Sequence, residues 1–112
     1  MKIISLLLIL FLNLFGFNID DYEEFYGGKY DIENMELQKL VITPSEDGYL
    51  TITTSMVPYC KVQVFNNRNK FITELNILNG YRGEIKVKAE KNYLIWILPK
   101  NKHCKYVLIN FP

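Results

Sequence analysis

From Leu40 onward, apolar and polar residues alternate with a period of two, the signature of half-buried strands. "LVIT" (40–43) opens the series, and "PSEDG" (44–48) is a turn by composition. In "YLTITTS" (49–55), Leu50 and Ile52 share one face and Thr51 and Thr53 the other. In "CKVQVF" (60–65), Val62 and Val64 oppose Lys61 and Gln63. "NNRN" (66–69) is a turn, so the strands flanking it read as a hairpin. "FITELNI" (71–77) continues with Phe71, Thr73, Leu75 and Ile77 on one face, and Asn79-Gly80 signals another turn. "EIKVKA" (84–89) puts Ile85, Val87 and Ala89 inward and Glu84, Lys86 and Lys88 outward. "YLIWIL" (93–98) is apolar on both faces and predicts a central, doubly covered strand. "CKYVLINF" (104–111) is the last strand. About seven short strands, each followed by a turn, predict an all-β fold: a small antiparallel β-sandwich over 39–112.

The first forty residues break this rhythm. "MKIISLLLILFLNLFGF" (1–17) has one charge, Lys2, then an apolar run too short to span a membrane. It reads as a signal peptide, and the expected location is secreted or extracytoplasmic. A membrane association is expected only if this leader is uncleaved. Residues 18–38 form an acidic segment, irregular around Gly27-Gly28, in which 31–40 has the composition for a helical turn or two. The remaining 95 or so residues make one domain with one modest core. Ala89 is the only alanine, which disfavours a helical bundle.

Three stretches carry a family likeness: Gly48-Tyr49-Leu50-Thr51-Ile52, then residues 89–97 ("AEKNYLIWI"), and Tyr106-Val107-Leu108-Ile109. Together, over 48–111, the chain resembles the bacterial pre-peptidase C-terminal (PPC) β-sandwich. The glycine which that pattern carries after Ala89 is replaced by Glu90, with one extra residue before Tyr93. The resemblance implies a β-sandwich. In the family such modules accompany larger secreted enzymes.

Candidate chemistry is sparse. Cys60 and Cys104 are the only cysteines, and in an oxidising compartment they predict one disulfide. His103 is the only histidine and lies in a basic turn, while Ser45 and Ser55 lie in turn-like stretches without a catalytic signature. There is no zinc spacing, no phosphate-cradling glycine loop and no calcium loop. The reading is therefore non-enzymatic, with no cofactor and no metal.

Charge order changes that picture. Residues 20–48 hold nine acids against two lysines, a net −7. Residues 49–112 hold ten bases against three acids, a net +7. Such asymmetry points to a charged partner, or to the acidic segment lying on the basic sheet of its own chain. The leading expectation is surface binding of an anionic, glycan or protein ligand through Tyr81, Lys86 and Lys88. Specific nucleic-acid binding is not expected, since "PKNKHCK" lacks interleaved aromatics. Two alternatives stand beside it. One is an inhibitor or effector that engages a partner protein through the acidic arm. The other is an accessory structural subunit of an envelope or coat. Tyr22, between Asp21 and Glu23, resembles tyrosine-sulfation sites of eukaryotic secretory proteins. Tyr26 and Tyr30 are expected to fold onto the sandwich edge.

Overall fold

The computed structural model describes residues 19–54, 60–66, 68, 70–75 and 82–112. The leader, Ser55, Ile77, the Asn79-Gly80 turn and Tyr81 lie outside these. Among the described residues, nine strands follow a 3₁₀ turn at Ile19–Asp21: β1 (Glu23–Glu24), β2 (Gly28–Asp31), β3 (Gln38–Ile42), β4 (Gly48–Thr54), β5 (Cys60–Asn66), β6 (Phe71–Leu75), β7 (Arg82–Val87), β8 (Tyr93–Pro99) and β9 (Tyr106–Asn110). They form two sheets packed as a sandwich, ordered β1-β3-β8-β5-β6 and β2-β9-β4-β7. β1 pairs parallel with β3, and every other pairing is antiparallel.

The alternation decides which residues meet between the sheets. Leu40, Ile42, Val62, Val64, Ile95 and Ile97 from one sheet face Leu50, Ile52, Ile85, Val87, Val107 and Ile109 from the other, all buried. Fully burying one such side chain stabilises by roughly 1.5–3 kcal/mol. The expected disulfide is present. Cys60 at the start of β5 bonds Cys104 in the β8–β9 turn, with Cα atoms 5.1 Å apart. It fastens one sheet to the chain entering the other.

β8 is the central strand of its sheet, as its composition predicts. Its outer face is covered by rings rather than by another layer. Leu94 and Val41 are buried there beneath Tyr22 and Phe65. The predicted facing of Phe71 fails for a local reason. β5 and β6 shift register between Val64 and Phe65, so Val64 opposes Thr73 while Phe65 opposes Phe71. A bulge of this kind inserts one residue, here Ile72, and turns the side chain just before it, Phe71, to the other face. Phe71 therefore stands outside, 53% exposed, edge-on to Phe65 at 5.8 Å. The β7–β8 turn contains Glu90 at φ 62, the left-handed region that glycine fills most easily. Its backbone N–H donates to Pro44 O at 2.8 Å, and Ala89 N–H donates to Asp47 Oδ1 at 2.8 Å, which fixes this turn against the β3–β4 turn.

The acidic segment departs most from expectation. It is not helical over 31–40: residues 32–37 are irregular, but short strands lie on either side of them, and the sandwich includes strands that precede residue 39. β1 adds to the edge of the five-stranded sheet with Glu23 opposite Leu40 and Glu24 opposite Val41. Phe25 N–H donates to Val41 O at 3.0 Å. The chain then crosses to the other sheet through Gly27 and Gly28, at φ 100 and 102, where glycine is needed. β2 pairs with β9, from Gly28 opposite Ile109 to Asp31 opposite Tyr106. Phe25, Tyr30 and Ile32 pack against the core and close this side of the sandwich.

Candidate functional site

The same crossing that partly buries Phe25, Tyr30 and Ile32 leaves the segment's carboxylates outside. Asp20, Asp21, Glu23, Glu24, Asp31, Glu33 and Glu36 are all exposed along this edge. The edge is not a free arm, since backbone pairing fixes it to both sheets. Lys29 reaches Asp31 within β2 at 3.6 Å, with both side chains more than half exposed. Exposed pairs of this kind contribute about 0–1 kcal/mol.

Between β1, β2 and the β2–β3 connection lies a polar cleft of about 300 Å³, lined by Glu23, Tyr30, Asp31, Glu33, Asn34 and Gln38. Tyr30 is its pivot. The ring packs edge-on against Phe25 at 5.5 Å. Its single hydroxyl proton is directed between Gln38 Oε1 at 2.9 Å and Glu23 Oε2 at 3.2 Å. Gln38 is oriented in turn, its Nε2 donating to Glu36 O at 3.0 Å and Asn34 Oδ1 at 3.2 Å. Burial, then the charge and hydrogen bond of Glu23, then the charge of Glu33, push Tyr30 up to about 12, so its phenol stays neutral in this anionic cleft. Among the described residues no three His, Cys, Asp or Glu side chains are placed to hold a metal ion. The cleft's chemistry is that of a rigid anionic surface, suited to cationic side chains.

A second cavity, of about 170 Å³, lies beside β1 and is lined by Glu24, Phe25, Tyr26, Val41, Thr43 and Asn92. Here the tyrosine expectation divides. Tyr30 folds onto the edge, whereas Tyr26 stands in solvent, 83% exposed. The Tyr26 hydroxyl donates to Glu24 Oε2 at 2.7 Å, and that bond together with the carboxylate's charge raises its pKa.

The other residues singled out by sequence fall elsewhere. Tyr22 is half-buried, and its hydroxyl accepts the indole N–H of Trp96 at 2.8 Å. Lys39 Nζ lies over both rings, 4.8 Å from Trp96 and 5.8 Å from Tyr22. Burial raises the Tyr22 pKa, the Trp96 bond lowers it, and Asp21 raises it again. The oxygen that sulfation would modify thus accepts a hydrogen bond at the rim of a half-buried cluster. Lys86 and Lys88 are exposed. Lys86 lies opposite Tyr49 on β4, and Lys88 N–H donates to Tyr93 Oη at 2.9 Å. They belong to β7 and its end, at the opposite edge of the sheet from β2. The acidic segment therefore does not lie over Lys86 and Lys88. His103 is exposed in the β8–β9 turn, its N–H donating to Asn101 Oδ1 at 2.8 Å.

No protein-family model matches the chain, and no curated protein matches it in sequence. Among solved structures, it is similar to PliG of Aeromonas hydrophila, a periplasmic lysozyme inhibitor of g-type lysozyme. The TM-score is 0.52 at 9% identity, over 80% of this chain and 96% of that one. At this identity the likeness is one of fold.

Sequence reasoning found the acidic character of the edge but neither cavity. Asn34, Gln38, Thr43 and Asn92 carry no motif. They meet Glu23, Glu24, Tyr26 and Tyr30 only because two short strands reach two different sheets. Gly27-Gly28 is the one local signal of that crossing.

Proposed function

We propose that this chain is a small exported protein that works by capturing a partner protein rather than by catalysis, and that its acidic edge is the capture surface. The observation that carries this reading is the cleft in which Glu23, Asp31 and Glu33 surround the neutral phenol of Tyr30. The backbone beneath Glu23 and Asp31 is held by strand pairing, so little backbone ordering cost remains to be met there on binding. A partner with a basic surface fits. The disulfide favours an oxidising, extracytoplasmic location. The fold shared with a periplasmic lysozyme inhibitor supports a protein partner and makes a g-type lysozyme the first candidate.

The test is titration calorimetry of the disulfide-bonded 18–112 chain against a g-type lysozyme at two ionic strengths, with lytic activity followed in parallel. Capture that weakens with salt is expected. It should be lost in Asp31→Lys/Glu33→Lys and kept in Lys86→Glu/Lys88→Glu. No capture removes this partner, and capture indifferent to Asp31 and Glu33 removes the acidic edge.

One observation favours a second reading. Lys86 and the 56% exposed Tyr49 face outward together on the four-stranded sheet, a pairing suited to an anionic ligand. Binding to heparin that disappears in Lys86→Glu/Lys88→Glu would favour it.

A further inference from the structure

The cavity beside β1 is built differently from the acidic cleft. Its apolar wall is Phe25 and the buried Val41, and its polar rim is Glu24, Tyr26, Thr43 and Asn92. The rim is already ordered by its own hydrogen bonds. Tyr26 donates to Glu24 Oε2 at 2.7 Å, and Thr43 Oγ1 donates to Asn92 Oδ1 at 2.6 Å. Those two bonds use both hydroxyl protons. What the rim still offers is mostly acceptors: the second Glu24 oxygen and the remaining lone pairs of Tyr26, Thr43 and Asn92. Only the Asn92 amide adds donors.

An acceptor-rich rim with one negative charge calls for a cation with several spread donors. The apolar wall calls for a methylene stem. The Tyr26 ring, 83% exposed and projected by the fixed backbone at Phe25 and Gly27, offers a face for stacking. Arginine answers all three demands. Its planar guanidinium spreads five donors and stacks on aromatic faces, whereas a lysine ammonium concentrates three donors at one point.

We propose that this cavity is a subsite for one arginine side chain of the captured protein. The proposal rests on the partner-capture reading, and it places an anchor next to the acidic cleft. Glu23 and Glu24 are adjacent on β1, and each lines one of the two cavities. Their side chains project to opposite faces of that strand, Glu24 with Val41 and Glu23 with Leu40, so a partner that lays an arginine against Tyr26 reaches Glu23 and Glu33 by wrapping around this edge strand.

The experiment is an NMR titration of the isotope-labelled, disulfide-bonded 18–112 chain with the tripeptide acetyl-Gly-Arg-Gly-amide. Its isosteric, uncharged citrulline counterpart is the control. Saturable shifts are expected at the Asn92 side-chain amide, the Tyr26 ring and the Val41 methyls. The arginine peptide should bind about tenfold tighter than the citrulline peptide, the size of one charge-assisted contact. Glu24→Gln should remove most of that preference, and Tyr26→Ala should weaken binding by about fivefold. Both substitutions are at exposed positions, and the dispersion of the amide spectrum checks that each variant is folded. Equal binding of the two peptides overturns the proposal, as do shifts confined to Asn34 and Gln38 in the cleft. Failure of the parent reading looks different. The arginine peptide would then bind at Tyr26 and Asn92 while capture is untouched by Asp31→Lys/Glu33→Lys.

Discussion

Tyr22, Tyr26 and Tyr30 lie within nine residues of one another and meet three different fates. Tyr22 caps a patch on the outer face of one sheet, Tyr26 stands in solvent bonded to Glu24, and Tyr30 is the polar pivot of the cleft. Nothing in the local pattern distinguishes them, because their environments come from Trp96, Asn92 and Gln38, which are remote in sequence or lie across a turn. Tyr30 makes a test at this scale. Its ordinary pKa is 10.0, and in the folded protein it rises to about 12. Between these values the unfolded chain has released the proton and the folded one has kept it, so rising pH favours unfolding. The stabilisation from the neutral phenol is complete below pH 10 and is lost as pH climbs through about 12. Urea midpoints measured across this window should fall more steeply for the parent protein than for Tyr30→Phe. Equal slopes would place the titrating group elsewhere.

Strands that alternate over five or more residues were legible at the level of elements. β4, β5, β7, β8 and β9 fall where apolar periodicity and turn residues predict them. β1 and β2 were not legible. Two exposed glutamates cannot display a period, and the four residues of β2 begin with a glycine. Their strand conformation is imposed by the open edges of β3 and β9, a tertiary influence on short segments. The bulge at Ile72 was hidden for a related reason, since register is a property of two strands together. The disulfide was legible because two cysteines allow one pairing. It closes a loop with a sequence separation of 44. Chain-entropy reasoning gives it about 4 kcal/mol of stabilisation. Denaturant unfolding with and without a reducing agent should differ by roughly that amount, with Cys60→Ala/Cys104→Ala matching the reduced protein. A difference under about 1 kcal/mol would mean that the sandwich is held by its core alone.

At the scale of the molecule, a near-neutral total hides two opposed regions. The carboxylates of the edge repel one another, and such crowding destabilises a compact state while it attracts a cationic partner. Function and stability are therefore expected to separate. Replacing Asp21, Glu33 and Glu36 together by their amides should leave the melting temperature unchanged or raise it, while capture of the partner weakens. A clear fall in melting temperature, read by circular dichroism, would assign these residues a structural role instead. The order in which the chain appears adds a matter of timing. β2 is completed only by β9, and β1 only by β3, so the acidic edge has no fixed form until β9 has arrived. Contacts so distant along the chain form late. While the chain is being made the carboxylates thus travel on a loose strand, and the acidic edge comes into being only once the chain through β9 has arrived.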